Sequence, residues 1–557
     1  MRSFFYFLAI MSFAIFVSIP LMDARYLTGH DPAYNLMRLI EIHNLLSSGV
    51  FLPKWAPDLV FGFGYPIFIF YPPACYYLAE IFVILGTGFG IAIKLGYFLG
   101  FLFGGWFFYK IGERLGSKKS GVIGAVLFCY VPYRLVDVYV RSSYSEFIAI
   151  SIVPFIIWSI LSYHKRNNTK YLLFMLIGLS LLNLTHTISA FLFFPSVFLI
   201  SVVHKKQDTI RFIAVFALSC AITSFFWVPA LAEQGNVNFA SIIKDNFCYK
   251  NHFVYLSQFF SQAWGFGLSV PGKNDGMPFQ IGYPQITAVL LCITSIFTDK
   301  NRYKKLSILS VGLILSAVFL MTSSSAFLWD NLKILQILQF PWRLLMVVGI
   351  FASFCGVIGS KTLFDKIGNR NLNRIFFILF LILIVGFNQR FCKTKYIDDK
   401  NFESLLVKNI NRLPLPDGSS TIMLEYLPRW VKVLPQKLPD RKIEPSADIR
   451  ILRSVIGPTK YDIDLVVKSP NVLRINTFYY PGWNIYLDGH RVKPIVDKKM
   501  GTMKIYIAQK GKHHLKIIFQ NTVLRNACNI LSLLTVLATL ILYTCLKSSG
   551  KDNQKKS

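Results

Sequence analysis

Residues 66–86 run PIFIFYPPACYYLAEIFVILG, and whether this stretch crosses a membrane sets the side of every segment after it. It is apolar and close to the ~20 residues a crossing helix needs. If it crosses, the next apolar run, 88–108, ends outside, and Lys110, Arg114, Lys118 and Lys119 face outward. That opposes the excess of Lys and Arg found in cytoplasmic loops. Pro72-Pro73 interrupts a helix there, and Glu80 is costly in hydrocarbon. The stretch therefore reads as a re-entrant or surface-lying element.

On that reading twelve spans follow, near 4–22, 88–108, 119–135, 146–162, 170–186, 187–203, 210–230, 284–299, 306–322, 341–359, 373–389 and 527–546, with both termini inside. The inner loops then hold Lys165, Arg166 and Lys170, then Lys205, Lys206 and Arg211, then Lys300, Arg302, Lys304 and Lys305, then Lys361, Lys366, Arg370 and Arg374. The arrangement agrees with composition. The 557 residues are 54% hydrophobic and 16% charged, where a soluble chain carries about 25% charge. Net charge is +31, but its carriers sit in short loops between apolar runs, which points to membrane topology and not to nucleic acid. The nine cysteines are scattered and include no CxxC, so neither a disulfide framework nor a zinc site is expected. Arg2 followed by the apolar Phe4 to Met22, without an A-x-A cleavage site, reads as an uncleaved first span.

The outer side takes the irregular segments. In the first, 31–48 has Ala33, Leu36, Met37, Ile40 and Leu45 at helical spacing, closed by Gly49. Residues 390–525 contain no spanning run. Tyr461 to Val467, Val472 to Phe478 and Met503 to Ile507 alternate as strands, with turns at Pro481-Gly482 and Asp488-Gly489. Three parts result: a transmembrane module over 1–389, an extracytoplasmic β-rich domain over 390–525, and a last helix with a cytoplasmic tail over 526–557, whose polar end from Ser548 is expected to be disordered.

Chemistry is expected on that outer side. Asp31 precedes Pro32, which fits a helix N-cap, yet its carboxylate is also placed to deprotonate an acceptor hydroxyl or to hold a divalent metal. His30 either orients it or faces solvent. Arg141 and Glu146 flank the turn between spans three and four. They form an ion pair, or Arg141 takes a phosphate while Glu146 serves as a second acid or metal ligand. His186, in Asn183-Leu184-Thr185-His186-Thr187, is either glue between helices or part of the same site. Arg343 follows Pro341-Trp342 and is either an interfacial anchor or a fork for a lipid-linked phosphate. No P-loop, H-E-x-x-H, G-x-S-x-G or dinucleotide glycine pattern occurs, so leaving-group energy must arrive with the substrate.

An N-terminal span, an outer acidic loop, many spans and an outer C-terminal domain together resemble the GT-C glycosyltransferases. More narrowly, Asp31 with Arg38, Pro53-Lys54-Trp55, Gly62-Phe63-Gly64-Tyr65-Pro66, Phe70-Tyr71-Pro72-Pro73, Tyr133-Arg134 through Arg141 and Glu146, and Gln339-Phe340-Pro341-Trp342-Arg343 resemble a bacterial membrane family labelled 6-pyruvoyl-tetrahydropterin synthase-related. Tyr479-Tyr480-Pro481-Gly482-Trp483 and Gly511-Lys512-His513-His514 resemble the end of a family linked to glycosylating teichoic acids. The GT-C resemblance implies inverting transfer of a sugar from a polyprenyl-phosphate-linked donor to an envelope glycan, lipid or protein acceptor, on the outer face of a bacterial inner membrane. Asp31 would be the base or a group that positions the acceptor, and Arg141 or Arg343 would stabilise the departing phosphate. The competing readings are a flippase for a lipid-linked saccharide and a non-catalytic envelope-biogenesis factor. Within the spans Lys94 is the main charge, which argues against an ion-coupled path.

Overall fold

A computed structural model describes residues 2–204, 206–238, 248–298, 303–399, 401–410 and 426–555. Each expected span coincides with a helix. Six are long and apolar enough to cross: Phe89–Leu115, Tyr144–Arg166, Lys304–Met321, Pro341–Ile367, Arg370–Phe391 and Val523–Cys545. Two further expected spans coincide with bent pairs, Lys118–Cys129 with Pro132–Tyr139 (41°) and Thr209–Ile222 with Ser224–Ala232 (70°), each a broken span or a re-entrant loop. The remaining four, Phe4–Val17, Lys170–Thr185, Thr187–Val203 and Tyr283–Ile296, are apolar but shorter, so length supports six crossings, and up to eight if each bent pair is one span, among the described residues. Lys205, Asp245, Lys300 and Arg302 lie outside the described residues. The last helix continues through Lys555, so the polar tail from Ser548 begins as helix and not as an unstructured end.

The stretch at 66–86 is broken at its prolines. Ile67–Phe70 forms one turn, and Ala74–Ile84 forms eleven residues of helix, too short to cross. Its Cys75, Tyr76, Ala79 and Glu80 face the protein, while Ile81, Ile84 and Leu85 are exposed, so one face of the helix is packed and the other is bare. The helix foreseen at 31–48 spans Pro32–Ser47, and Gly49 adopts φ +82° just beyond it. It is not amphipathic in place: Asn35, Arg38 and Glu41 are buried together with Leu36, Met37, Ile40 and Leu45. The spacing showed one apolar face, but the rest of the helix is covered by other elements.

The C-terminal part is a β-sandwich. Its strands are β1 Ile443–Pro445, β2 Ile449–Ile456, β3 Lys460–Val467, β4 Asn471–Phe478, β5 Trp483–Leu487, β6 His490–Val492, β7 Ile495–Val496, β8 Thr502–Ile507 and β9 Gly511–Phe519. They form two antiparallel sheets ordered β1-β4-β8-β7 and β2-β3-β9-β5-β6. Period-two burial in β3, with Tyr461, Ile463, Leu465 and Val467 inside, is the alternation the sequence displays. Asp488 and Gly489 both take positive φ, 50° and 83°, between paired Leu487 and His490. That is the two-residue hairpin whose left-handed turn Asp-Gly favours.

This sandwich rests on the first loop. Trp55 is fully buried against Trp483 (5.6 Å) and Phe519 (5.4 Å), and Phe63 stacks on Phe478 at 5.3 Å. A Cβ on Gly64 would run into the Trp55 ring, which is why that turn needs glycine. The sandwich is also tied to the last span. Arg525 is completely buried and forks onto Glu233, Nε to Oε1 at 2.8 Å and Nη2 to Oε2 at 2.6 Å, while the Tyr480 hydroxyl donates to Oε2 at 2.8 Å.

Removing one member of this pair strands a buried charge, which costs about 3–5 kcal/mol. Glu233→Leu is therefore expected to lower the thermal unfolding midpoint and to expose the sandwich to protease. Glu233→Leu combined with Arg525→Met is expected to recover much of the loss. Equal damage from single and double variants in a protease-protection assay would contradict this.

Candidate active site

The site forms where the first loop meets the turn at 140–143. Pro132 ends one helix segment and starts the next at an angle, and the chain then turns through Ser142 at φ +53°. Such a conformation costs a non-glycine residue about 1–3 kcal/mol. The loop fits against it closely. The Asp31 N–H donates to the Arg141 carbonyl at 2.9 Å, Asn35 Nδ2 to the Ser142 carbonyl at 2.5 Å, and Ser142 Oγ to the Thr28 carbonyl at 3.3 Å. Gly29, at φ +153°, permits the approach, since a Cβ there would lie 2.8 Å from the Val140 carbonyl. A third strip closes the loop from the other side: Thr28 N–H donates to the Lys395 carbonyl and Ile397 N–H to the Tyr26 carbonyl, both at 2.9 Å.

Asp31 precedes the helix in the N-cap position, with Pro32 at its first residue, but its side chain makes no capping hydrogen bond. The carboxyl is left for other work. It is half-buried, and the charges of Arg141, Arg38, Arg343 and Glu146 all reach it. Burial lifts its pKa above the usual carboxylate range, against the opposing pull of Arg141, Arg38 and Arg343. His30 does not turn to Asp31. Its Nε2 donates to the Gly267 carbonyl at 3.0 Å, and burial, helped by the Arg141 charge, pushes it down to about 4, so the ring is neutral at pH 7.

Beside Asp31 lies a buried ion network. Arg141 Nη1 donates to Asp137 Oδ1 at 2.6 Å and to the Tyr133 hydroxyl at 3.1 Å, and its Nη2 reaches Glu146 Oε2 at 3.1 Å. The Tyr133 hydroxyl donates to Glu146 Oε1 at 2.5 Å. Arg343 Nε stands 3.9 Å from Glu146 Oε2. Two carboxylates and two guanidinium groups thus balance in a region where an isolated charge would be expensive. The Arg141–Glu146 ion pair therefore exists, and it occupies both groups. Glu146 has one oxygen on Tyr133 and the other on Arg141. Among the described residues no three His, Cys, Asp or Glu are grouped as metal ligands.

Donors remain for an anion. Arg343 Nη1 is held by the Leu338 carbonyl (2.9 Å) and Gln339 Oε1 (2.8 Å), leaving Nη2 with no protein hydrogen bond among the described residues. Arg38 is 2% exposed and lies over the Tyr71 ring at 3.9 Å; its Nη1 donates to Tyr76, and its Nε and Nη2 have no acceptor among the described residues. His186 stands within the fields of Glu146, Arg343 and Arg141. The Ser189 N–H donates to its Nδ1 at 3.3 Å, so the neutral ring carries its proton on Nε2.

The structure therefore brings Asp31, Arg141, Glu146, Arg343 and His186 together and turns His30 away. Sequence reasoning gave no site role to Arg38, Asp137 or Tyr133. Arg38 falls seven residues after Asp31, two helical turns on, a spacing that signals a shared face.

Residues 68–392 match the sequence model of a family described as a 6-pyruvoyl-tetrahydropterin synthase related domain, membrane protein. An uncharacterized protein of Lactococcus lactis subsp. cremoris (strain MG1363) is 23% identical over 243 residues, covering 41% of this chain and 40% of that protein. In structure the chain is similar to the arabinofuranosyltransferase AftD from Mycobacteria (TM-score 0.46, 14% identity), covering 78% of this chain and 31% of AftD. It is also similar to the Archaeoglobus fulgidus oligosaccharyltransferase in its apo form (0.48, 13%, covering 78% and 61%). ArnT from Cupriavidus metallidurans bound to undecaprenyl phosphate gives 0.34 and 12%, covering 64% and 77%. The chain thus spans less than two thirds of the Lactococcus protein, of AftD and of the oligosaccharyltransferase.

Gly29→Ala is expected to push the first loop off the 140–142 turn, at a cost of about 1–3 kcal/mol. Hydrogen exchange should speed up at Asp31 and Asn35 while the strands of the sandwich stay protected. Unchanged exchange at Asp31 would refute the close approach.

Proposed function

The chain belongs to the membrane-protein family described as 6-pyruvoyl-tetrahydropterin synthase related, and from the arrangement around Asp31 we propose that it is a glycosyltransferase. In this proposal it moves a sugar from a polyprenyl-phosphate-linked donor to a hydroxyl of an envelope glycan, lipid or protein, at the outer face of the bacterial cytoplasmic membrane. The observation that carries the reading is a carboxyl freed from capping, fixed by its own backbone, and set among guanidinium groups that keep unused donors.

The chemistry follows from those positions. The acceptor oxygen attacks the anomeric carbon while Asp31 takes its proton. The bond from that carbon to the phosphate oxygen breaks, and its electron pair stays on the phosphate. Arg343 Nη2, Arg38 Nη2 and the His186 Nε2–H are donors for that growing charge, which is where fixed donors accelerate a reaction most. Arg141 is a positioning residue: it is engaged by Asp137, Tyr133 and Glu146 and holds the turn on which Asp31 rests. Glu146 keeps Arg141 and Arg343 aligned, as the acid of the network. Two boundaries belong to the same proposal, namely the transmembrane module at 1–389 and the extracytoplasmic domain at 390–525.

Glycan composition of envelopes from cells carrying Asp31→Asn is the direct test. Loss of a general base lowers the rate about 10²–10⁴-fold, and membrane insertion and thermal stability should be unchanged. A folded Asp31→Asn protein with full activity would make the chain a non-catalytic factor. The pH profile supplies a second check. The base must be ionised, so activity should fall as pH drops through the raised Asp31 pKa, above the ~3.9 of an unperturbed aspartate.

A further inference from the structure

A cavity lies at the seam between the sandwich and the last helix. It encloses about 500 Å³ and is lined by Val50, Leu52 and Lys54 of the first loop, Thr459, Phe519, Gln520 and Asn521 of the sandwich, and Asn526 of the helix. It shares no residue with the cluster around Asp31.

Its chemistry is cationic and hydrogen-bonding. Lys54 is 8% exposed, and among the described residues its ammonium makes one protein hydrogen bond, to the Phe225 carbonyl at 3.2 Å. An ammonium has three hydrogens, so two remain for another acceptor. Among the described residues no Asp or Glu lines the cavity. The nearest acid to act on Lys54 is Glu233, and both its oxygens are taken by Arg525. The side chains of Thr459, Gln520, Asn521 and Asn526 add neutral polar groups, and the helix beginning at Val523 presents its positive end beside Asn526.

Its surroundings are those of a membrane surface. Phe51, Leu52 and Val523 are 71%, 61% and 88% exposed. Below them the Val523–Cys545 helix is only 11% buried in protein, with Ile530, Leu534 and Ile541 bare. A buried cation and amide groups at the head of an apolar, lipid-facing helix match an amphiphile with a phosphate head and hydrocarbon tails.

We propose that this cavity binds the phosphate head group of a membrane lipid, with the tails running along the last helix. The site seats the sandwich against the bilayer and is independent of the transfer reaction, so its failure leaves that reading intact.

The test uses the full chain in nanodiscs and in detergent, read by native mass spectrometry and thermal shift. Dioleoyl-phosphatidylglycerol, dioleoylglycerol and inorganic phosphate are the three probes. Wild type should retain the phosphatidylglycerol and not the dioleoylglycerol, which has the same tails without phosphate. Lys54→Met should weaken retention about tenfold or more, the loss of one hydrogen bond to a charged group. Because Lys54 also braces Phe225, Asn521→Trp provides a second variant that fills the cavity and leaves Lys54 in place; it should release the lipid as well. Equal retention of both lipids, or retention unaffected by both variants, overturns the proposal. Stabilisation by inorganic phosphate as large as that by phosphatidylglycerol overturns the lipid as the source of the phosphate.

Discussion

A single main-chain hydrogen bond, from the Asp31 amide to the Arg141 carbonyl, decides what the rest of the site can be. It joins the first loop to the turn between two spans, and it does so without using either side chain. Arg141 is then free to balance Asp137 and Glu146, and the Asp31 carboxyl is free of structural duty. The ion network beneath works as a unit. Remove Arg141, and two buried carboxylates lose their counter-charge; remove Glu146, and two guanidinium groups face each other.

Much of the helical layout was legible because lipid forces it to be. A segment that crosses must be apolar for its whole length, and the loops between must carry the positive charge. That is why each expected span coincides with a helix or a bent pair of helices, and why Pro72-Pro73 marked an apolar run that breaks into short pieces. Four of those helices are nonetheless too short to cross alone, which hydropathy over a fixed window does not reveal. The strands of the sandwich were legible for a similar reason, since β3 must alternate to bury one face.

The site was legible in part. Asp31, Arg141, Glu146, His186 and Arg343 attract attention because charge is scarce in such a chain. Which of them saturate one another was not legible, because that depends on a turn through Ser142 and a glycine contact made across about 110 residues of chain. Arg38 and Glu41 were hidden by the opposite effect. On a helix that looks amphipathic they read as its wet face, and only tertiary packing buries them.

One long-range contact bears on how the chain is made. The first amides of the helix Phe89–Leu115 are capped by the Glu403 carboxylate, at 2.6 Å for Phe89 and 3.1 Å for Gly90, across 314 and 313 residues. A nascent chain leaving the ribosome must therefore insert that span with its leading amides uncovered and keep them so until the nine expected spans that follow it have been synthesised. Assembly of this protein cannot be a simple procession from the N-terminus. Its second span reaches its final setting only when a segment beyond residue 400 returns to it, so truncation anywhere before that point would leave an early step of biogenesis unfinished.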